Sequence, residues 1–237
     1  MPIVFRFRPV PLVAAVVTVA IGLALGQWQT RRAQEKEAIE ISLSERESAP
    51  PVLLSAAPAG LDTLEYRRVL IKGEFVRGWP IYLDNRPHRG AAGFYVLMPL
   101  KIAGSDSHVL VARGWIPRNS VERAKLPALI TPAGPVAILG AVRGKPGRLL
   151  QLGRPETLRP GAIVQNVEVA QFAAASKLAM QPLLVEQLND THDGLVRDWL
   201  RPSTGREKHR GYAFQWYGLA AAAFVFFVIT GFRRGTR

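Results

Sequence analysis

The chain has no cysteine among its 237 residues. That absence excludes disulfides, thiolate metal sites, a lipoprotein anchor and metal delivery through paired thiols. Also missing are a G-x-S-x-G nucleophile elbow, a Walker phosphate loop, a dinucleotide fingerprint and a His-x-x-x-His zinc pair. Acidic residues are scarce: 18 stand against 31 Lys and Arg, for a net charge of +13. The basic residues are nevertheless scattered among acidic ones, without a Lys/Arg block or an interleaved aromatic patch, so no nucleic-acid partner is expected. Anionic lipid headgroups or an acidic protein face suit that pattern better.

What is present begins with two apolar runs near the ends. Residues 212–232 carry no charge, and those 21 residues match the length a helix needs to cross a bilayer. A second run occupies 11–27. Its Ala24-Leu25-Gly26 offers a small-x-small cleavage pattern, but its length and the Gly22/Gly26 face favour a retained anchor over a signal peptide. The expected organisation is a tail at 1–10, transmembrane helix 1 at 11–27, a domain at 28–211, transmembrane helix 2 at 212–232 and a tail at 233–237. Five of the thirteen net positive charges are Arg6, Arg8, Arg233, Arg234 and Arg237, which flank the spans and read as cytoplasmic. With no organellar transit peptide ahead of the first span, the expected setting is a bacterial inner (plasma) membrane with the main domain in the periplasm.

Between the spans the pattern turns to strands. Past Trp28 the first helix continues through opposite-charge pairs, Arg31–Glu35 and Lys36–Glu40, until Pro50 and Pro51 end it. In 68–75, Val69, Ile71 and Phe75 share one face while Arg68, Lys72 and Glu74 share the other. Residues 81–83 form a short strand, 94–102 and 109–116 the arms of a hairpin, and 136–142, 162–167 and 182–188 further strands. An alanine-rich stretch at 169–178 reads as a short helix with Phe172 on its apolar side. The fold class is therefore two transmembrane α-helices flanking a mainly antiparallel β domain, barrel- or sandwich-like, with one short helix.

Candidate chemistry is sparse. Asp106-Ser107-His108 contains triad residue types, yet neighbours on a hairpin tip cannot aim at one reacting atom, and a polar turn explains them. His88 and His192 read as loop histidines. His209 differs, because on a helix it shares a face with Tyr212 and Trp216 at the membrane surface. An imidazole above an aromatic stripe suits an axial ligand for a flat apolar cofactor such as haem. The alternative is an interfacial histidine among the snorkelling Lys208 and Arg210, and spacing alone favours it. Arg86 and Arg113 are either structural, paired with Asp84 or Glu74, or a clamp for an anionic group such as a haem propionate.

Taken together the motifs resemble the Surfeit locus protein 1 family, assembly factors of cytochrome c oxidase. The likeness runs over nearly the whole chain. Leu25-Gly26, Trp28-Gln29, Arg32 and Lys36 fit the exit from the first helix, and Tyr66-Arg67-Arg68-Val69 with Gly73 the first strand. Leu83-Asp84-Asn85-Arg86, Gly93, Pro99-Leu100, Val111 and Arg113-Gly114-Trp115-Ile116-Pro117 fit the central region. His209, Tyr212-Ala213 and Trp216 with Leu219-Ala220 fit the second helix. The resemblance implies a non-enzymatic role in maturing the haem a site of the oxidase's largest subunit. It makes His209 the haem iron ligand, with Tyr212 and Trp216 against the ring. Haem a synthase, other assembly factors and the lipid bilayer are the further implied partners. A scaffold that holds oxidase subunits without touching haem is the rival expectation, and a hydrolase finds no nucleophile–base pair here. The family often has an asparagine near this histidine, where Glu207 and Lys208 stand, and a tryptophan near 163–165, where Ile163-Val164-Gln165 stand.

Overall fold

The computed structural model describes residues 3–5, 8–57, 60–122, 125–144, 156–199 and 205–234. Arg6 and Arg237, assigned above to the cytoplasmic tails, lie outside them. In chain order the elements are β1 (Ile3–Phe5), α1 (Pro9–Ser48), β2 (Val52–Leu53), α2 (Leu61–Leu64), β3 (Arg68–Phe75), β4 (Ile81–Leu83) and β5 (Gly93–Ile102). They continue with β6 (Ser107–Pro117), β7 (Val136–Arg143), β8 (Ile163–Val164), α3 (Val169–Ser176), β9 (Ala179–Gln187), α4 (Arg206–Gly231) and β10 (Phe232–Arg234). The chain divides into two units, Met1–Leu43 with Arg201–Arg237, and Ser44–Leu200.

The second unit is a barrel. Strand β3 pairs with β7, β7 with β9, β9 with β6 and β6 with β5, and the end of β3 pairs back onto β5 to close the ring. Counted along the chain, the five ring strands run in the order first, second, third, fifth, fourth, with third and fifth (β6 and β9) parallel. This is a Greek-key barrel of the OB type. Closure depends on Gly73, which faces both Val136 on β7 and Ile102 on β5. A Cβ there would collide with the Lys101 carbonyl, so the sharing of β3 between two neighbours requires glycine.

Alternation of side chains explains what fills the ring. Val69, Ile71 and Phe75 of β3 meet Met98, Leu100, Val109, Val111, Ile138, Val142, Leu183 and Val185 in one buried cluster supplied by all five ring strands. Lys72 and Glu74 stay outside, as their spacing predicts. Strands β5, β6 and β9 are buried on the other face too. There Leu97, Leu110, Ala112 and Leu184 pack beneath Ile81, Leu83, Val164 and the fully buried Phe172 of α3. Burial on both faces is why β6 reads as an almost unbroken apolar run.

Several boundaries differ from the expectations. The strand expected at 162–167 shrinks to Ile163–Val164, because it adds in parallel to β4, itself only three residues long. The helix stops at Ser176, where Lys177 turns left-handed at φ 60°. The last strand begins earlier, at Ala179. The sheet is antiparallel in most pairings, with parallel contacts at β2–β3, β4–β8 and β6–β9. Ser107 and His108 belong to β6 rather than to a turn, with His108 opposite Lys101, so no triad forms.

The first unit is a helix pair. Helices α1 and α4 are each long and apolar enough to cross a membrane. Their sequence neighbours beyond the apolar ends, β1 and β10, pair antiparallel, with Val4 opposite Arg233. Helix α1 runs on unbroken past Gly26 to Ser48, as the charge pairs anticipate.

Candidate functional site

Helix α1 presents a stripe of buried residues, Gly22, Gly26, Gln29 and Ala33, at helical spacing. Helix α4 meets it with Ala220 and Tyr217, and Ala213 is buried on the same helix. Small residues let the two backbones approach closely. A Cβ on Gly22 would lie 2.9 Å from Ala220 Cβ and 3.0 Å from the Trp216 carbonyl oxygen. One on Gly26 would lie 2.5 Å from Tyr217 Cε1, and the Tyr217 hydroxyl sits 3.3 Å from Thr30 Oγ1. The Gly22/Gly26 face thus packs on the second apolar helix of the same chain. Above the apolar part, Glu37 binds Arg206 at 3.1 Å and Arg210 at 3.2 Å, so the helices run antiparallel from Ala220 up to Arg206.

His209 stands between the small-residue contact and the charged one. Its Nδ1 lies 2.7 Å from the Gln29 Oε1. An amide oxygen only accepts, so in this contact the imidazole donates from Nδ1. One turn deeper, Tyr212 is half exposed on α4. Trp216 follows it and lines an apolar groove of about 540 Å³ with Thr18, Ile21, Gly22, Leu219, Ala222, Ala223 and Phe226. His209, Tyr212 and Trp216 therefore occupy one helix, in the order that their spacing predicts. Among the described residues no cluster of three or more His, Cys, Asp or Glu could hold a metal ion.

The arginines belong to the barrel unit. Arg113 is the extra residue of a β-bulge: Val96 pairs with Gly114 and Leu97 with Ala112, leaving Arg113 without an opposite number on β5. The bulge turns its side chain inward, where it is fully buried against the Phe75 ring, 4.7 Å away. Its partner is neither Asp84 nor Glu74 but Asp193, at 2.8 Å. Thr131 Oγ1 and the Ile130 carbonyl also accept from it, each at 2.8 Å. Arg197 grips the same carboxylate at 2.6 and 2.7 Å. Burial pushes the Arg113 pKa down, opposed by its hydrogen bond to Asp193. For Asp193, burial alone would push the pKa up. The bonds from Arg197, the Leu195 amide and Arg113 outweigh it and hold the carboxyl below its usual range. The geometry commits both of its terminal nitrogens to partners inside the barrel.

Arg86 is less consumed. It is buried, with 7% of its surface exposed, and burial lowers its pKa, against the nearby Tyr95 and Asp84. Its Nη2 donates to the Gln165 carbonyl at 3.1 Å, its guanidinium lies 5.8 Å from the Tyr95 ring centre, and its Nε, like that of Arg113, has no hydrogen-bond partner among the described residues. Trp115 Nε1 donates to its carbonyl at 2.7 Å. Asp84, its expected partner, binds Arg118 instead at 2.6 Å.

A model of the SURF1 family matches residues 16–221. The chain belongs to the SURF1 family. The match begins inside α1 and ends inside α4, so it takes in Gln29, Arg86, Arg113, His209, Tyr212 and Trp216. Over 231 residues the chain is 29% identical to a SURF1-like protein of Rickettsia bellii, covering 90% of this chain and 87% of that protein. A SURF1-like protein of Rickettsia felis is 27% identical, covering 90% and 93%. Surfeit locus protein 1 of Rattus norvegicus is 28% identical over 226 residues, 86% of this chain and 70% of the relative.

Sequence reasoning about this SURF1 family member missed two partners. Gln29 had a signal: it falls on the same helical stripe as Gly22 and Gly26. Asp193 had none, since it lies 80 residues from Arg113 and only the fold joins them.

Proposed function

We propose that this protein is a membrane-anchored, non-enzymatic assembly factor for cytochrome c oxidase that holds haem a on its way to the oxidase's largest subunit. The observation carrying the reading is the His209–Gln29 hydrogen bond, which commits Nδ1 and leaves Nε2 as the nitrogen available to ligate at the rim of an apolar helix pair. A metal-bound histidine ordinarily donates its other ring N–H to a carbonyl or carboxylate, so the residues fit the group. Haem a would supply an iron that accepts a nitrogen ligand and a broad apolar ring. His209 would ligate, and Tyr212 and Trp216 would offer aromatic surface. Within the barrel, Arg86, which no carboxylate pairs among the described residues, is better suited than Arg113, already paired with Asp193, to meet an anionic group such as a propionate.

Membership of the SURF1 family supports the oxidase role by resemblance. The apolar helices support a membrane setting, here a bacterial inner membrane with both termini cytoplasmic and the barrel periplasmic. Arg8 ahead of α1 and Arg233 and Arg234 after α4 favour that orientation, and the β1–β10 pairing is in keeping with both tails lying on one side.

The test is to purify the full chain from cells that also make haem a synthase. The wild type should carry a haem a absorption spectrum, and His209→Ala should lose it. A His209→Ala protein with the wild-type haem load and spectrum sinks the ligand assignment. Normal oxidase assembly in that variant would favour a scaffold that never touches haem.

A further inference from the structure

We infer that Gln29 is the positioning residue of the His209 site: it fixes the imidazole as the Nδ1–H tautomer, so that Nε2 is the only ring nitrogen free to bind. The consequence for haem rests on the reading above, whereas the tautomer does not.

Three observations carry it. Gln29 is 9% exposed and lies on the α1 stripe that packs against α4, a place where an amide needs a partner. The partner is His209 Nδ1 at 2.7 Å, a short contact for a neutral hydrogen bond. The carboxylates that might compete are taken up by arginines: Glu37 by Arg206 and Arg210, Glu40 by Arg206, and Glu207 by Arg206 and Arg210. His209 is thus left with a neutral acceptor.

A neutral acceptor has a specific chemical effect. A free imidazole divides its proton between the two nitrogens, and the tautomer with the proton on Nε2 has no lone pair there for a metal. An oxygen fixed beside Nδ1 removes that population. A carboxylate in the same place would draw the proton further, make Nε2 more basic and hold an iron more tightly. Glutamine orients the ligand without that extra pull, which suits a site that must release what it holds.

The test uses the full chain in detergent, free of haem, with ¹⁵N-labelled histidine, and assigns His209 by its disappearance in His209→Ala. Long-range proton–nitrogen correlation at pH 8 should show His209 as the Nδ1–H tautomer. Gln29→Leu should shift it to a mixture or to Nε2–H, and Gln29→Glu should restore Nδ1–H, with circular dichroism unchanged throughout. An Nε2–H tautomer in the wild type, or no change in Gln29→Leu, overturns the proposal. On haem a-loaded protein, Gln29→Leu should release haem about tenfold or more readily, the scale seen when an outer partner of a metal ligand is lost. Gln29→Glu should retain haem and lower its midpoint potential. Haem retention and potential equal to wild type in both variants would overturn the positioning role. A wild type that shows the Nδ1–H tautomer but takes up no haem a would overturn the haem reading and leave the tautomer assignment standing.

Discussion

The barrel and the helix pair treat their buried polar groups in opposite ways. In the barrel, Arg113 and Asp193 are fully buried and locked together, with Arg197 on the same carboxylate. In the helix pair a buried amide meets a partly exposed imidazole, and one ring nitrogen is left over. The energetics explain the contrast. A buried charge is tolerable only when its opposite is held against it, so such a group is fixed in place and unavailable to a ligand. A neutral imidazole at a helix surface costs little to leave half satisfied, and can bind. The polar interior of the barrel is closed on itself, and the polar contact of the helices is the one to which the proposed function assigns a ligand.

The sharpest way to break this contrast is to remove one polar side chain from each unit. Asp193→Ala strands two guanidinium groups and should cost about 3–5 kcal/mol of stability. His209→Ala leaves the buried Gln29 amide without its partner and should cost about 1–3 kcal/mol, less than the barrel variant. Denaturant unfolding of the full chain in detergent, followed by tryptophan fluorescence, measures both. A small loss in Asp193→Ala, or a large one in His209→Ala, would reverse the roles assigned to the two units.

The next effect in size sharpens the helix side. Gly22→Ala would place a Cβ 3.0 Å from a backbone oxygen that cannot rotate away, whereas Gly26→Ala meets the Tyr217 ring, which can. Overpacking of this kind costs about 1–3 kcal/mol, and the Gly22 variant should lie nearer the top of that range. SDS titration monitored through helicity and Trp216 fluorescence would rank them. Equal, negligible losses would mean that the helices do not pack through this stripe.

How much of this was legible in the sequence follows the range of the interactions. The helices, the β3 alternation, the β5–β6 hairpin and α3 depend on local periodicity, and they appear where the pattern puts them, within a few residues. Ring closure is not local. It turns on Gly73 serving two strands and on β6 meeting β9 in parallel, neither of which leaves a periodic trace. The site divides the same way. The spacing of His209, Tyr212 and Trp216 along one helix was readable. The Gln29 partner, 180 residues away, needed both helices in place, and the replacement of Asp84 by Asp193 beside Arg113 needed the folded barrel.

The smallest effect concerns acid, and its sign follows from the same carboxylate. Asp193 is held below its ordinary value of 3.8 in the folded barrel, so its contribution to stability is fully present above that value. It is lost as pH falls through the lower, folded value, because the unfolded chain then binds the proton more readily. Glu186 works in the other direction. Burial raises its pKa above 4.5, with Arg143 opposing, so protonation on the way down relieves a cost instead of adding one. The unfolding midpoint should therefore hold or rise slightly from pH 6 to about 4 and fall only below that. In Asp193→Asn the fall below pH 4 should shrink, since asparagine keeps an acceptor but has no proton to gain. An unaltered acid limb in Asp193→Asn would place the controlling carboxylate elsewhere and remove the strongest reason for calling the barrel's buried charges a closed set.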